Sequence, residues 1–356
     1  MKRLIYLSII LLALIVFPAF GQNDTIKSPY AAEDTLQSNF GMFEKSELLE
    51  LSLRFNLTEY TRKKPKDEYM DAILTYHLNA KDSINKNIRI KSRGEFRNQY
   101  CDFPPILVNL KKADLKKEDL KKLEKVKLVT HCERGNEENL LKEYLVYKLY
   151  NVLTDISFRV RLLRINYIDT NPKKKKKTTT AFGFFIEPVE LLAERTNSAV
   201  VTSITLSQKN MIPEILDRMA IFNFMVGNAD WSIPNQHNCK ILSQANSPTP
   251  NLGTVVPYDF DYTGIVDASY AIPNETSKIK SVTDRIYTGL CRSKETFEKE
   301  LVEFTENKEE FYKVINEFPY MNEKTKKQML SYLDEFYNRF DKKNRIIDDL
   351  LSTCKE

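Results

Sequence analysis

The period of the hydrophobic pattern changes near residue 187, and that change constrains the fold of this chain more than any other feature. Before it, apolar residues recur mostly at every second position, as on half-buried strands. Leu51, Leu53 and Phe55 alternate, and so do Ile73, Thr75 and His77. The second run and "KNIRIKS" (86–92) flank a polar turn and predict a hairpin. Pro104 and Pro105 open a further strand, where missing N–H groups do least harm. Residues 125–131 predict another, and 158–168 with 178–187 a second hairpin across Pro172 and five lysines. One helix interrupts this series: Leu141, Tyr144, Leu145, Lys148, Leu149 and Val152 fall at three- and four-residue spacing, with Asn136 as its expected cap. After residue 187 the spacing turns helical. Ile212, Ile215, Leu216, Met219, Phe222 and Val226 share one face of a buried helix that stops at Gly227-Asn228. Two short strands follow, "HNCKIL" and "TVVPYDFDY". From Ser281 onward the chain reads as charged helices, with Phe297, Leu301, Phe304, Phe311 and Ile315 as core. The expected class is therefore α+β: a strand-rich part with one helix, then a mainly helical part with one small hairpin.

Met1, Lys2 and Arg3 precede an almost wholly apolar run over 4–20, which exits through small residues near Gly21. This pattern predicts a cleaved secretory signal over 1–21, and hence a secreted or periplasmic protein with no later membrane span. A polar leader over 22–42 follows. The 111–124 stretch and the lysine run at 173–177 read as solvated connectors, since no aromatics interleave with the lysines. With a net charge of only +5, no nucleic-acid partner is expected. Five cysteines in an exported chain leave at least one unpaired; the expectation is mostly buried thiols with at most two bridges. Three scattered histidines argue against a zinc site.

The chemistry concentrates in "GNADWSIPNQHNCKIL" and "VVPYDFDYTG". A buried helix runs into a polar loop containing Asp230, Asn235 and Asn238, and a short hairpin ends at Asp259. Transfer of a phosphoryl group needs a carboxylate to accept a hydroxyl proton and oxygen ligands to hold Mg²⁺ against phosphate. Asp and Asn are also ordinary turn residues, so a structural reading, with loop hydrogen bonds for Asp230 and Asn238 and a strand end at Asp259 and Asp261, stands beside the functional one. Arg93 and Arg97 can face phosphate or form an ion pair that locks a turn at Gly94. Trp231 can meet a substrate or anchor the loop, and His237 reads as a hydrogen-bond partner within it.

The chain resembles the CotH kinase-like family of atypical secretory kinases. The resemblance is carried by "RIKSRGEFRNQYCDFPP", "KLVTHC", "LLKEYLVYKLYN", "FGFFIEPVELLAER", "NADWSIPNQHN" and "VPYDFDYTG". It implies a bilobal kinase-like fold with a small lobe over 43–188 and a large lobe over 189–356. Asp230 then matches the catalytic aspartate, and Asn238 and Asp259 the metal ligands, with Asp261 as a weaker one. Glu143 is the helix glutamate for pairing with a phosphate-contacting lysine. The strand at 106–110 lacks the family's lysine, which leaves Lys91 or Lys111 as substitutes, and Tyr258 replaces a tryptophan. The implied activity is phosphate transfer from ATP, with Mg²⁺ or Mn²⁺, to a hydroxyl of an envelope or secreted protein. The replaced lysine and the missing glycine-rich loop keep a second reading open, a catalytically inactive pseudokinase or binding module of the envelope. A secreted glycoside hydrolase using paired carboxylates is a third.

Overall fold

The computed structural model describes residues 41–77, 83–110, 123–133, 136–173, 178–202, 205–244, 249, 251–273, 279–340 and 345–356. The expected export signal, the expected leader through residue 40, Lys111 with most of its connector, and most of the lysine run lie outside the described residues.

Seven strands make the first half: β1 (Leu49–Phe55), β2 (Met70–His77), β3 (Ser83–Ser92), β4 (Ile106–Asn109), β5 (Lys125–Thr130), β6 (Val160–Asp169) and β7 (Thr178–Ile186). They close into a barrel in the order β1-β2-β3-β4-β5-β7-β6. Both expected hairpins are present as antiparallel pairs, β2 with β3 and β6 with β7. The seam is a parallel pairing of β1 with β6, in which Leu51 faces Ile165. Strand alternation explains the two cores. Val126, Leu128, Leu163, Ile165 and Phe185 fill the barrel interior. Val129, Val160, Leu162, Phe184 and Ile186 point outward and join a second, larger cluster.

That second cluster is organised around α3 (Glu138–Leu153), which lies against the outer face of β6 and β7. The sequence predicts an amphipathic helix here, but α3 is buried on nearly every side, including Lys142, Glu143, Tyr147 and Tyr150. The barrel covers one flank. On the other, Tyr144 meets Phe318, Tyr147 meets Phe260, and Tyr150 meets Phe222. Asn136 does not cap it: the N-cap is Glu137, whose carboxylate instead accepts the Phe182 amide.

A single helix in the strand-rich half is also an underestimate. Two short helices, α1 (Leu57–Lys63) and α2 (Phe96–Tyr100), precede α3. Each spans only a turn or two, too little for a periodic signal. The seven strands, closed on themselves, also depart from the kinase-like small lobe that the resemblance implied; a mixed α+β architecture is what the fold retains.

After the barrel come α4 (Val189–Arg195), β8 (Ser198–Val200), α5 (Pro213–Val226), β9 (Cys239–Gln244) and β10 (Thr254–Pro257). Strands β10-β9-β8 form a small antiparallel sheet. Helix α5 starts with proline at its first position and ends at Gly227, whose φ is +70°. A side chain there would strain the backbone and meet the Tyr332 hydroxyl, 2.0 Å from an ideal Cβ. The C-terminal helices α6 (Lys294–Glu306), α7 (Lys308–Asn316), α8 (Glu323–Tyr337) and α9 (Arg345–Thr353) pack Phe297, Phe304, Phe311, Ile315 and Phe336 into the same cluster. Ser293 and Asn322 cap α6 and α8 through their side chains.

Four of the five cysteines are bridged, Cys101 to Cys132 and Cys291 to Cys354, so most are not free thiols. Cys239 is the buried thiol, and burial pushes it up to about 12. Among the described residues no helix is long and apolar enough to cross a membrane.

Candidate functional site

The loop after α5 folds back on itself. Ser232 and His237 exchange backbone hydrogen bonds of 3.1 and 2.9 Å, and this closure brings the loop's two flanks together. Asp230 and Asn238, eight positions apart, thereby become neighbours. Asn238 Nδ2 donates to the Asp230 carbonyl at 2.8 Å and to Asp230 Oδ2 at 2.9 Å. His237 Nε2 lies 2.9 Å from Asp230 Oδ1. The Asp230 amide donates to Asn228 Oδ1, which ties the loop to the end of α5. Both bonds of the Asn238 side chain leave through Nδ2, so its amide oxygen carries neither. Trp231 is buried and anchors the loop.

Asp259 arrives from the other side. The Tyr258 amide donates to the Asn238 carbonyl at 3.0 Å, which aligns the end of β10 with the loop. Phe260 is fully buried against Tyr147 and Phe222. Tyr147 also accepts the Asp259 amide at 2.8 Å, so α3 supports the segment twice. Asn238 and Asp259 both adopt left-handed backbone, with φ of +50° and +64°. Asn and Asp tolerate that conformation better than other side chains, and such residues cluster at functional sites.

Asp230, His237, Asn238, Asp259 and Asp261 share a cleft of about 530 Å³, whose other wall includes Arg93, Phe96 and Arg97. Gly94 turns the chain between the arginines with φ of +82°. Arg97 is the buried ion-pair arginine. Its guanidinium contacts Glu143 at 3.2 Å, the Thr130 carbonyl at 2.9 Å and Asp261 at 3.8 Å. Glu143 therefore pairs with an arginine, where the resemblance implied a lysine. Burial pushes the Glu143 carboxyl well up, against the pull of Arg97. Burial and then Asp259 raise Asp261, to about 6. Burial alone would lower Arg97, yet Tyr270, Glu143, Asp261 and Asp259 together hold its proton more tightly. Asp261 Oδ2 also accepts from Tyr270 at 3.0 Å, which makes it a buried counter-charge.

Lys91 is not brought to this cleft. Ile88, Ile90 and Ser92 take the buried positions of β3, and Lys91 lies 5.2 Å over the Tyr69 ring instead. Sequence reasoning passed over a different lysine. Lys127 stands on β5, directly before the helix that carries Glu143, and its ammonium sits 4.3 Å over the Tyr258 ring next to Asp259. Burial and the nearby Arg93 push it down to about 8, with Asp259 opposing. The detectable signal was a lysine between Val126 and Leu128 in a strand whose neighbour in sequence is a helix.

The oxygen donors in the cleft are of the kind a hard divalent cation takes. Asn238 and Asp259 supply an amide oxygen and a carboxylate, and Mg²⁺ needs only one or two carboxylates when phosphate and water complete its shell. Among the described residues no group of three or more His, Cys, Asp or Glu side chains is placed to hold a metal ion.

No family model matches the chain, and no curated protein does, so the CotH-like resemblance rests on the quoted segments alone. The crystal structure of a Helicobacter pylori proinflammatory kinase, CtkA, is similar over 82% of this chain and 93% of that one, at 15% identity and a TM-score of 0.36. A likeness at that level bears on neither fold nor activity.

Proposed function

We propose that this protein is an exported kinase-like phosphotransferase that moves phosphate from a nucleoside triphosphate to a hydroxyl of an envelope or secreted protein. One observation carries the reading. Asp230, Asn238 and Asp259 come from two separate segments, yet all three line one cleft. In this reading residues 43–188 act as the small lobe and 189–356 as the large one. Asp230 accepts the proton of the attacking hydroxyl, its carboxylate oriented by His237 and Asn238. The Asn238 amide oxygen and the Asp259 carboxylate hold Mg²⁺ or Mn²⁺. The cation supplies charge neutralisation on the phosphate oxygens. Arg93 lines the cleft, and the Lys127 ammonium sits over the Tyr258 ring next to Asp259, so in this reading both bring positive charge toward the ATP phosphates. Two disulfides suit an oxidising compartment and support export.

Metal-dependent ATP binding by the purified protein tests the site. Asp259→Ala is expected to abolish the metal-dependent part of the affinity and leave the metal-free part intact. Equal metal dependence in both proteins sinks the assignment.

Lys127 gives a pH test. Its folded value lies below that of a free lysine, so it loses its charge as pH rises through about 8. ATP affinity is expected to fall across that window in the wild type. In Lys127→Gln the affinity starts about ten-fold lower, the scale of one charged hydrogen bond, and the step near pH 8 disappears. For stability the sign is opposite: the unfolded chain binds the extra proton between about 8 and the ordinary lysine value, so this group favours folding as pH rises there.

A further inference from the structure

The cleft lining mixes two chemistries. Beside the polar groups, Asp230, His237, Asn238 and Asp259 with Arg93 and Arg97, it carries apolar ones, Phe96, Tyr262, Ile272, Pro273, Ile279 and Val282. Large exposed hydrophobic side chains are few among the described residues; two of them, Phe96 (42% exposed) and Ile272 (73%), line this cleft, and a third, Tyr100 (47%), stacks on Phe96. Apolar groups gathered beside a polar site mark a place where something docks.

This rim is built, and it is not a frayed end. Helix α2 carries Phe96 and Tyr100. It is held through Arg97, whose guanidinium is buried against Glu143, and through the Cys101–Cys132 bridge at its C-terminal end. The rings support each other: Phe96 stacks on Tyr100 at 5.4 Å and meets Tyr262 edge-on at 5.8 Å, and Tyr100 lies 5.5 Å from Tyr270. Exposed rings packed among themselves, in a cleft that Ile272 and Pro273 also line, offer an apolar seat for a side chain next to Asp230.

We infer that the acceptor is a polypeptide whose phosphorylated hydroxyl has a large aliphatic or aromatic residue beside it, seated against Phe96, Tyr262 and Ile272. This rests on the phosphotransferase reading and names its acceptor. The hydroxyl oxygen bonds to the γ-phosphorus of the triphosphate, the bond from that phosphorus to the bridging oxygen breaks, the nucleoside diphosphate leaves, and the hydroxyl proton passes to Asp230.

The test uses serine peptides that carry Phe, Leu or Gly on either side of the acceptor, with labelled ATP and Mg²⁺. The expected result is kcat/KM at least about ten-fold higher for Phe or Leu than for Gly, the scale of one well-filled apolar pocket. In Phe96→Ala/Ile272→Ser that ratio is expected to fall close to one, with the glycine peptide as internal reference. A wild-type ratio near one overturns the inference, and so does a preference that survives in the double variant. A raised KM for ATP in the variant with an unchanged peptide ratio assigns the rim to the base and also overturns it. Transfer to envelope glycan and to no peptide does the same. Nucleotide binding is measured separately: a wild type that binds no ATP sinks the phosphotransferase reading itself, whereas binding without peptide preference sinks only this one.

Discussion

Replacing Asp230 by asparagine is expected to lower turnover by about 10²- to 10⁴-fold, the range of a positioned general base, while ATP affinity stays within a few-fold of wild type. The substitution keeps the shape of the side chain and removes its basicity. His237 and Asn238 can still meet an amide at this position, so the loop closed by Ser232 and His237 is retained. Asp230 is partly exposed to the cleft, so little stability is at stake. The measurement is single-turnover transfer of labelled phosphate, with ATP binding measured in parallel. Wild-type transfer by Asp230→Asn removes this residue from proton abstraction. Loss of ATP binding together with transfer places it among the metal ligands instead.

Arg97→Leu is expected to cost about 3–5 kcal/mol of stability, because it leaves buried carboxylates without their cation. Arg97 joins three elements at once: its own helix α2, Glu143 on α3, and Asp261 beyond β10. Lysine is a poor replacement, since a single ammonium cannot span Glu143, Asp261 and the Thr130 carbonyl together. The pH dependence follows from the carboxyls. Glu143 and Asp261 both stand above their ordinary values, Asp261 at about 6, so the native state holds more protons than the unfolded chain as pH rises out of the ordinary carboxyl range. Each therefore loses stability through that window, and more so once the guanidinium is gone. The gap between wild type and Arg97→Leu should narrow on acidification. Denaturant midpoints at pH 5 and pH 8 measure it. A second variant, Arg97→Leu/Glu143→Met, should recover part of the loss by removing one stranded charge. A double variant as unstable as the sum of its parts would show that the two side chains do not act as a pair.

The Lys127 and Arg97 assignments show where local reading stops. Sequence alone gave Arg97 two readings, a phosphate-facing group or an ion pair that locks a turn, and singled out Lys127 for none. Strand alternation makes Lys127 point away from Val126 and Leu128, but whether that outer face meets solvent or another layer is a tertiary fact. The same holds for α3. Its residues carry a helical period, yet its polar face is buried because Lys142 bonds the Val266 carbonyl and Glu143 bonds Arg97. Lys91 illustrates the converse. It lies in the quoted resemblance, but its side of β3 faces Tyr69.

Elements with strong local signals were legible from the residues themselves. The two hairpins, the buried α5 with its glycine stop, and the carboxylate-rich segments at 230 and 259 all follow from periodicity and turn chemistry, which act within a few residues. The parallel seam between β1 and β6 depends on partners more than a hundred positions apart, and so does the Arg97 ion pair with Asp261. Even the meeting of Asp230 with Asn238 needed the loop's own closure. Short-range propensity selects which elements form. Only the packing of their buried faces decides which charges share a cleft, because burial energy depends on what covers a residue and not on its neighbours in sequence.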